Sequence, residues 1–179
     1  MKAITFLRHG EYKQSGELSD KGILQAQKRA ASLKDLDPFD LVITSSALRT
    51  KQTAEIIKSA LNINIPSVVL PELYLPRDDK NKKSVEKLLK DLGSVHLSEY
   101  IKQDKSRAWE SYAKEAYDAL LACILAYKTE KVLVIGHGNI INSLGLMINP
   151  EAIDLQNIYF DYCEGFTVFE KSKDLCYHR

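Results

Sequence analysis

The chain has 179 residues, which is long enough for one well-buried domain and short for two. A formal net charge of +1, with 45% hydrophobic and 27% charged residues, is typical of a soluble globular protein. This balance gives no global electrostatic reason to expect nucleic acid or an anionic membrane as a partner.

Other bulk features point to the cytoplasm. No run approaches the ~18 apolar residues that span a bilayer, and the first residues begin a strand pattern instead of the core of a signal peptide. The three cysteines, Cys123, Cys163 and Cys176, are widely spaced and form no CxxC pair. They therefore predict neither a disulfide framework nor a zinc knuckle.

Strand and helix patterns alternate along the chain. "AITFL" predicts a first strand, and "LSDKGILQAQKRAASLKDL" predicts a helix capped by Ser19. "FDLVITS" predicts a second strand, "ALRTKQTAEIIKSAL" a helix, and "PSVVL" a third strand. After the lysine-rich "PRDDKNKKSVEKLLKDLG", we expect a long helix in "SRAWESYAKEAYDALLACILAYK", a fourth strand in "KVLVIG", a helix in "HGNIINSLGLMI" and an edge strand in "EGFTVFE".

This alternation predicts the fold class. Strands that alternate with helices favour an α/β fold with a mainly parallel sheet flanked by helices on both faces. The chain has no internal repeat or low-complexity linker. We therefore expect a single domain over residues 1–179, with a variable helical segment at about residues 76–128.

Two of the four histidines come directly after predicted strands. His9 follows "TFLR", His137 follows "VLVIG", and each precedes a glycine. Ligands of open parallel sheets bind beyond the carboxyl ends of the strands, so we expect both imidazoles at one edge of the sheet. The glycines, Gly10 and Gly138, would let the backbone approach a ligand closely. The alternative is chance placement of histidines that only pack.

The same edge is predicted to bind an anion. "ITSSALRTKQTA" places Ser45, Ser46 and Arg49 after the second strand, with Arg49 in the first turn of a helix. Guanidinium groups bind phosphate oxygens in bidentate fashion, and a helix N-terminus favours anions. Arg8 and Arg49 therefore predict a site for a tetrahedral dianion. The alternative for Arg49 is an ion pair with a surface acid such as Glu55 or Asp20.

Three motifs resemble those of a known family in order and spacing. "LRHGE", "SSALRTKQTA" and "GHGN", each at a predicted strand end, are similar to motifs of the histidine phosphatase superfamily, also called the phosphoglycerate mutase-like fold. The resemblance runs from Ala3 to about Leu146 and includes "LSDKGILQA" at the start of the first helix. It implies a phosphoglycerate mutase-like fold and phosphoryl transfer with neither a cofactor nor a metal.

The resemblance also implies roles for individual residues. His9 matches the histidine that attacks phosphorus and becomes a phosphohistidine, while Arg8, Arg49 and His137 match the phosphate pocket. Such attack requires a neutral imidazole, which neighbouring arginines favour. Positive charge around the phosphoryl oxygens stabilises the transition state.

The leaving oxygen needs a proton, and Glu72 is the predicted general acid. It follows the third strand, in a region where many family members carry a glutamate, and it would also activate water in the second step. Some small members lack this glutamate, and Asp78 and Asp79 lie nearby in the sequence. A solvated loop carboxylate is the alternative for Glu72.

Two departures from the family pattern bear on the substrate. An asparagine that commonly follows the RHG motif and contacts phosphate is missing, and Ser15 stands near its place. In the arginine motif, Ser46 and Thr50 replace the usual proline and alanine. The chain also lacks the long C-terminal tail that covers the site of the mutases, which favours a phosphatase.

Specificity is expected to come from the segment between Glu72 and Lys131. Its lysines at positions 80, 82, 83, 87 and 90 suit a polyanionic substrate or a phosphoprotein, although such charge runs are usually solvated helix faces. We expect Tyr12 and Tyr74 to line an entrance and Trp109 to pack in the core. His96, His178 and Glu11 receive no catalytic role.

The sequence therefore predicts a metal-independent phosphatase that hydrolyses phosphate monoesters or phosphohistidine through phospho-His9. Its expected partner is a small phosphorylated substrate or a phosphoprotein. The alternatives are a phosphomutase, a non-catalytic phosphate-binding module and a metal-dependent hydrolase with His9 and His137 as ligands. No HxH or HxxxH pair or carboxylate cluster accompanies these histidines, which disfavours the metal site. The sequence leaves the oligomeric state open.

Overall fold

The structure is a computed structural model that describes residues 3–36, 38–169 and 175–179. Within these residues, six strands form one sheet in the order β3-β2-β4-β1-β5-β6. Strands β1 to β4 are mutually parallel, whereas β5 runs antiparallel to β1 and β6 antiparallel to β5. The prediction of a mainly parallel sheet is confirmed. The strands are β1 Ala3–Arg8, β2 Leu41–Thr44, β3 Ser67–Val69, β4 Lys131–Gly136, β5 Gly165–Phe169 and β6 Leu175–His178.

Helices cover both faces of the sheet, as predicted. On one face, α1 and α2 pack small and branched apolar side chains against the strands. On the other face, the larger core includes Trp109, Tyr112 and Leu120 of α5 and Leu144 of α6. The expected helical segment at about 76–128 contains α3, α4 and α5. The helices are α1 Asp20–Leu33, α2 Leu48–Leu61, α3 Asp79–Leu92, α4 Leu97–Gln103, α5 Ala108–Tyr127 and α6 Gly138–Ile148, with short 3₁₀ turns at Lys34–Leu36, Pro71–Leu73 and Ile153–Gln156.

The two central strands determine where the histidines lie. β1 and β4 are nearly continuous apolar runs because both of their faces are covered by helices. They pair in parallel with Arg8 opposite Gly136, and the His9 N–H continues the ladder by donating to the Gly136 carbonyl at 3.1 Å. His9 and His137 therefore leave the sheet side by side at the same edge.

The loop after β1 packs against the first turn of α1. Ser19 caps this helix as predicted, because its hydroxyl accepts the N–H of Gly22 at 3.1 Å. A Cβ on Gly22 would lie 2.0 Å from the Glu11 carbonyl oxygen, and a Cβ on Gly10 would lie 2.7 Å from the Gly22 carbonyl oxygen. The close approach that Gly10 permits is therefore to the backbone of α1, whereas we expected an approach to a ligand.

The last strands correct the sequence analysis. "EGFTVFE" was expected at the sheet edge, but β5 lies between β1 and β6, and its residues from Gly165 to Val168 are buried. Residue 170, at the end of that segment, lies outside the described residues. The edge strand on this side of the sheet is β6, a segment of four residues that is too short to predict a strand by its pattern. No described helix is long and apolar enough to cross a membrane.

Candidate active site

Four residues predicted for the site converge on one cavity of about 280 Å³. Arg8 is the last residue of β1, and His9 follows it directly. His137 follows β4, and Arg49 is the second residue of α2. The strand ends thus bring together residues that are up to 129 positions apart in the sequence, because parallel neighbours finish at the same edge.

The protonation of His9 follows from its hydrogen bonds. Its Nδ1 lies 2.8 Å from the Gly10 carbonyl oxygen, which can only accept, so Nδ1 carries the proton. The Nε2 lone pair accepts the Arg49 Nε–H at 3.0 Å. Burial is the main cause that lowers the pKa of His9 from 6.5 to about 3; the Gly10 hydrogen bond opposes the shift, and the charges of Arg49 and Arg8 add to it. The imidazole is therefore neutral at physiological pH.

His137 is held in a defined tautomer on the other side of Arg49. The Arg49 Nη2 lies 3.4 Å from Nδ1, and an arginine can only donate, so the Nε2–H of His137 donates to the Ser45 hydroxyl at 2.9 Å. Ser45 is buried and also lies 3.0 Å from the Thr50 hydroxyl. Burial, followed by the charges of His9 and the arginines, holds the pKa of His137 well below its ordinary value. The rings of His9 and His137 are 5.0 Å apart.

Arg49 is directed into the cavity. Its guanidinium contacts both histidines and lies 4.4 Å from the ring centre of Tyr12 and 5.5 Å from that of Tyr74. Glu55, the alternative surface partner, instead lies 3.6 Å from the Lys58 ammonium. Tyr12 and Tyr74 both line the cavity, as expected for an entrance.

Arg8 is oriented by residues that the sequence analysis missed. Its Nη1 donates to the Phe160 carbonyl at 2.8 Å, and its guanidinium lies 4.3 Å from the ring centre of Tyr162 and 4.9 Å from that of Tyr159. These residues belong to the loop between the 3₁₀ turn Ile153–Gln156 and β5. In the sequence, "IYFDY" is recognisable only as an aromatic cluster in a predicted loop directly before a strand, which does not by itself indicate a contact with Arg8.

The same loop holds the backbone of the nucleophile candidate. The Cys163 N–H donates to the Arg8 carbonyl at 3.0 Å and to the His9 carbonyl at 3.3 Å. Cys163 adopts a φ of 60°, in the left-handed region that favours glycine, and its buried side chain packs with the core under α1 and α2. The backbone of His9 is therefore bonded on one side to Gly136 of β4 and on the other to Cys163.

Glu72 lies in the 3₁₀ turn Pro71–Leu73 and is 2% exposed. One carboxylate oxygen pairs with the Arg77 guanidinium, and Oε2 has no hydrogen-bond partner in the part of the chain that the structure describes. Glu72 does not line the cavity, although Tyr74, two residues later, does. Asp78 caps α3 by accepting the Asn81 N–H at 2.8 Å, and Asp79 is exposed. The general acid remains a prediction, with Glu72 the buried candidate.

Other residues singled out in the sequence lie away from the cavity. Ser15 is exposed, its hydroxyl lies 3.4 Å from a carboxylate oxygen of Glu17, and it does not line the cavity. Glu11 accepts hydrogen bonds from the Lys21 ammonium and the Ser19 hydroxyl, each at 2.8 Å, and these bonds, that of Lys21 first, lower the pKa of Glu11. None of the five α3 lysines lines the cavity.

Trp109 is a core residue, as predicted, and also borders the site. It is 4% exposed, and its indole N–H donates to the Ser143 hydroxyl at 3.0 Å. On its other side lies a larger apolar groove of about 820 Å³ between α4, α5 and α6, which contains neither His9 nor His137 nor either arginine of the site. The reactive groups are therefore concentrated in the smaller cavity. In the described ranges, no three His, Cys, Asp or Glu side chains are grouped to hold a metal ion.

Comparison with known proteins assigns the chain to a family. Residues 4–164 match the sequence profile of the histidine phosphatase superfamily (branch 1). The chain is 27% identical over 173 residues to the uncharacterized phosphatase PhoE of Bacillus subtilis (strain 168), covering 88% of this chain and 82% of the relative.

Solved structures share the fold at low sequence identity. The alpha-ribazole phosphatase of Shigella flexneri has a TM-score of 0.63 at 20% identity, with 99% of this chain and 94% of that chain covered. A phosphoglycerate mutase of Bacillus anthracis has a TM-score of 0.64 at 17% identity, with 99% and 91% covered. The family profile spans nearly the whole chain, and the protein belongs to the histidine phosphatase superfamily.

Proposed function

We propose that the protein is a metal-independent phosphatase that hydrolyses phosphate monoesters or phosphohistidine through a covalent phosphohistidine on His9. The observation that carries this proposal is the state of His9: a buried, neutral imidazole whose Nδ1 proton is fixed on Gly10 and whose Nε2 faces Arg49. The phosphatase named among the relatives supports the same reaction class.

In the first step, the Nε2 lone pair of His9 attacks phosphorus, and the bond from phosphorus to the leaving oxygen breaks. Without substrate, the Arg49 Nε–H donates a hydrogen bond to His9 Nε2 at 3.0 Å; when the substrate enters, this N–H donates to a phosphoryl oxygen instead, which frees the lone pair of Nε2. Arg8 and Arg49 then counter the negative charge on the phosphoryl oxygens. The hydrogen bond from Nδ1 to Gly10 stabilises the positive charge that develops on the phosphorylated ring.

Proton transfer to the leaving oxygen is assigned to the protonated form of Glu72, which becomes a carboxylate as the bond from phosphorus to the leaving oxygen breaks. Its carboxylate is buried with one oxygen unpartnered among the described residues, and it lies in the turn that presents Tyr74 to the cavity. In the second step, Glu72 accepts a proton from water as the water oxygen attacks phosphorus and the bond from phosphorus to Nε2 breaks. Inorganic phosphate leaves, and His9 regains its lone pair.

The decisive experiment traps the intermediate. The protein is incubated with para-nitrophenyl phosphate in EDTA and quenched in base, and acid-labile phosphate on the protein is measured. We expect a base-stable, acid-labile phosphoryl group on the native protein and none on His9→Ala. The exposed His96→Ala provides the matched control and should be labelled normally. Normal turnover by His9→Ala would contradict the mechanism.

A phosphomutase is the second candidate because a phosphoglycerate mutase shares the fold. The two reactions differ in the acceptor of the phosphoryl group from His9. In water labelled with heavy oxygen, a phosphatase places the label in inorganic phosphate, whereas a mutase transfers the phosphoryl group unlabelled to an acceptor hydroxyl. We expect label in the released phosphate.

A further inference from the structure

We propose that the substrate is a small phosphate monoester whose leaving group is uncharged and flat, such as a neutral aromatic ring. This inference rests on the proposed function, because it names the substrate class of the same site. It is carried by the part of the cavity that lies beyond the phosphate-binding groups.

The first argument is charge. Arg8 and Arg49 are the charged side chains among the described residues that line the cavity, and both are needed at the phosphoryl group. The remaining described lining contributes no lysine, arginine, aspartate or glutamate to the space for the leaving group. A carboxylate or ammonium on the leaving group would be desolvated there without a partner, which is costly.

The second argument is the shape and chemistry of the lining. The space next to the histidines is bordered by Tyr74, Tyr159 and Leu89, with Tyr100 and Tyr112 deeper inside. Tyr74 already packs on His137, with ring centres 5.1 Å apart. Aromatic faces contribute most when they pack on another flat group, by stacking or edge contacts. The lining therefore favours a planar leaving group over a flexible polar one.

The third argument is size. A volume of about 280 Å³ is just below the ~300–1,000 Å³ typical of small-molecule pockets. The lysines of α3, which would suit an acidic phosphoprotein, do not line this space, and Lys87 already pairs with Asp91. The cavity therefore fits a small molecule better than a phosphorylated side chain on a protein.

The test compares two ligands of nearly identical shape. Para-carbamoylbenzylphosphonate and para-carboxybenzylphosphonate differ only in an amide or a carboxylate, and neither contains a phosphoester bond to hydrolyse. Titration calorimetry with the native protein should show that the amide binds at least about tenfold more tightly. Equal affinity, tighter binding of the carboxylate, or no binding of either would overturn the inference.

Measurements of turnover distinguish a failure of this inference from a failure of the proposed function. We expect para-carbamoylphenyl phosphate to have a higher kcat/KM than either phosphoglycerate or a phosphoserine peptide. A higher kcat/KM for the peptide or the phosphoglycerate would overturn the substrate class while leaving the phosphatase proposal intact. If no ester is hydrolysed but the amide phosphonate still binds selectively, the binding inference is supported and the proposed function fails.

A pair of leucine variants tests the charge argument directly. Leu89 lines the mouth of the cavity and is 39% exposed, so Leu89→Lys adds a cation there without disturbing the core. We expect it to reduce the preference for the amide phosphonate about tenfold. Leu125→Lys is the matched control, because Leu125 is exposed on α5 and lies 13 residues beyond Tyr112, or ~20 Å along the helix. An unchanged preference in Leu89→Lys would contradict the charge argument.

Discussion

Two buried histidines of this protein share a similar burial and electrostatic state but lie in different surroundings. His9 is 3% exposed with its pKa lowered to about 3, and His178 is 8% exposed with its pKa lowered to about 4, in both cases mainly by burial. His9 faces a cavity and an arginine, whereas Nε2 of His178 lies 2.7 Å from the Thr167 hydroxyl inside the sheet. Burial and a lowered pKa therefore do not by themselves identify a reactive histidine.

The largest expected difference appears when each ring is removed. His9→Ala should lower kcat at least about a thousandfold because it removes the proposed nucleophile, while the fold is retained. His178→Ala should retain kcat but lower the free energy of unfolding by about 1–3 kcal/mol, because Thr167 loses a buried partner. Steady-state kinetics and urea unfolding of both variants measure this contrast. A loss of kcat in a folded His178→Ala would refute it.

The arginine beside His9 is the next point of comparison. Arg49→Lys removes the fork that contacts both His9 and His137, so kcat/KM should fall by about 10²–10³-fold. Arg107→Lys makes the same change at an exposed residue paired with Glu110, and its kcat/KM should equal that of the native protein. Equal kinetics for the two variants would mean that Arg49 does not act on the phosphoryl group.

The buried histidine of β6 should make stability depend on pH. Folding lowers the pKa of His178 from 6.5 to about 4, so the unfolded chain binds the extra proton between these values. Its contribution to stability is complete above pH 6.5 and is lost as the pH falls toward 4, by at most ~1.4 kcal/mol per pH unit. Urea unfolding at several pH values should show a smaller decline for His178→Gln. His9 and His137 contribute with the same sign and should account for part of the remaining slope.

The smallest expected effect concerns the tyrosine that packs on Arg8. Tyr162→Leu removes a ring whose centre lies 4.3 Å from the guanidinium, and it should raise KM by about two- to fivefold. Tyr162→Phe keeps the aromatic face and should leave KM close to the native value. If Phe and Leu have the same KM, the ring does not position Arg8.

The convergence of the four predicted site residues could be derived from the sequence because it depends on topology. Apolar runs before His9 and His137 predict parallel central strands, and parallel strands end at a common edge. Arg49 could be placed for the same reason, since it lies in the first turn of the helix after β2. The positions of these residues can be predicted because a local hydrophobic run shows where each strand ends.

The parts that could not be predicted depend on long-range contacts. Nothing local in "IYFDY" indicates that Tyr159 and Tyr162 flank Arg8, because the loop is positioned by its bonds to β1. β6 has only four residues, too few to show a strand pattern, so its pairing with β5 was missed. Likewise, a glycine at position 10 permits another group to approach the backbone closely, but the sequence does not specify that this group is the backbone of Gly22 in α1.

The backbone bonds on either side of His9 have a consequence for the temperature dependence of the reaction. With Gly136 bonded to its N–H and Cys163 to its carbonyl, the main chain of His9 loses its freedom during folding. The backbone that carries the His9 ring is therefore already ordered before substrate binds. Little conformational entropy remains to be lost on the way to the transition state, so the activation entropy of the chemical step should be small. Cys163, which contributes no reactive group to the cavity, would in this way determine how much of the barrier is enthalpic.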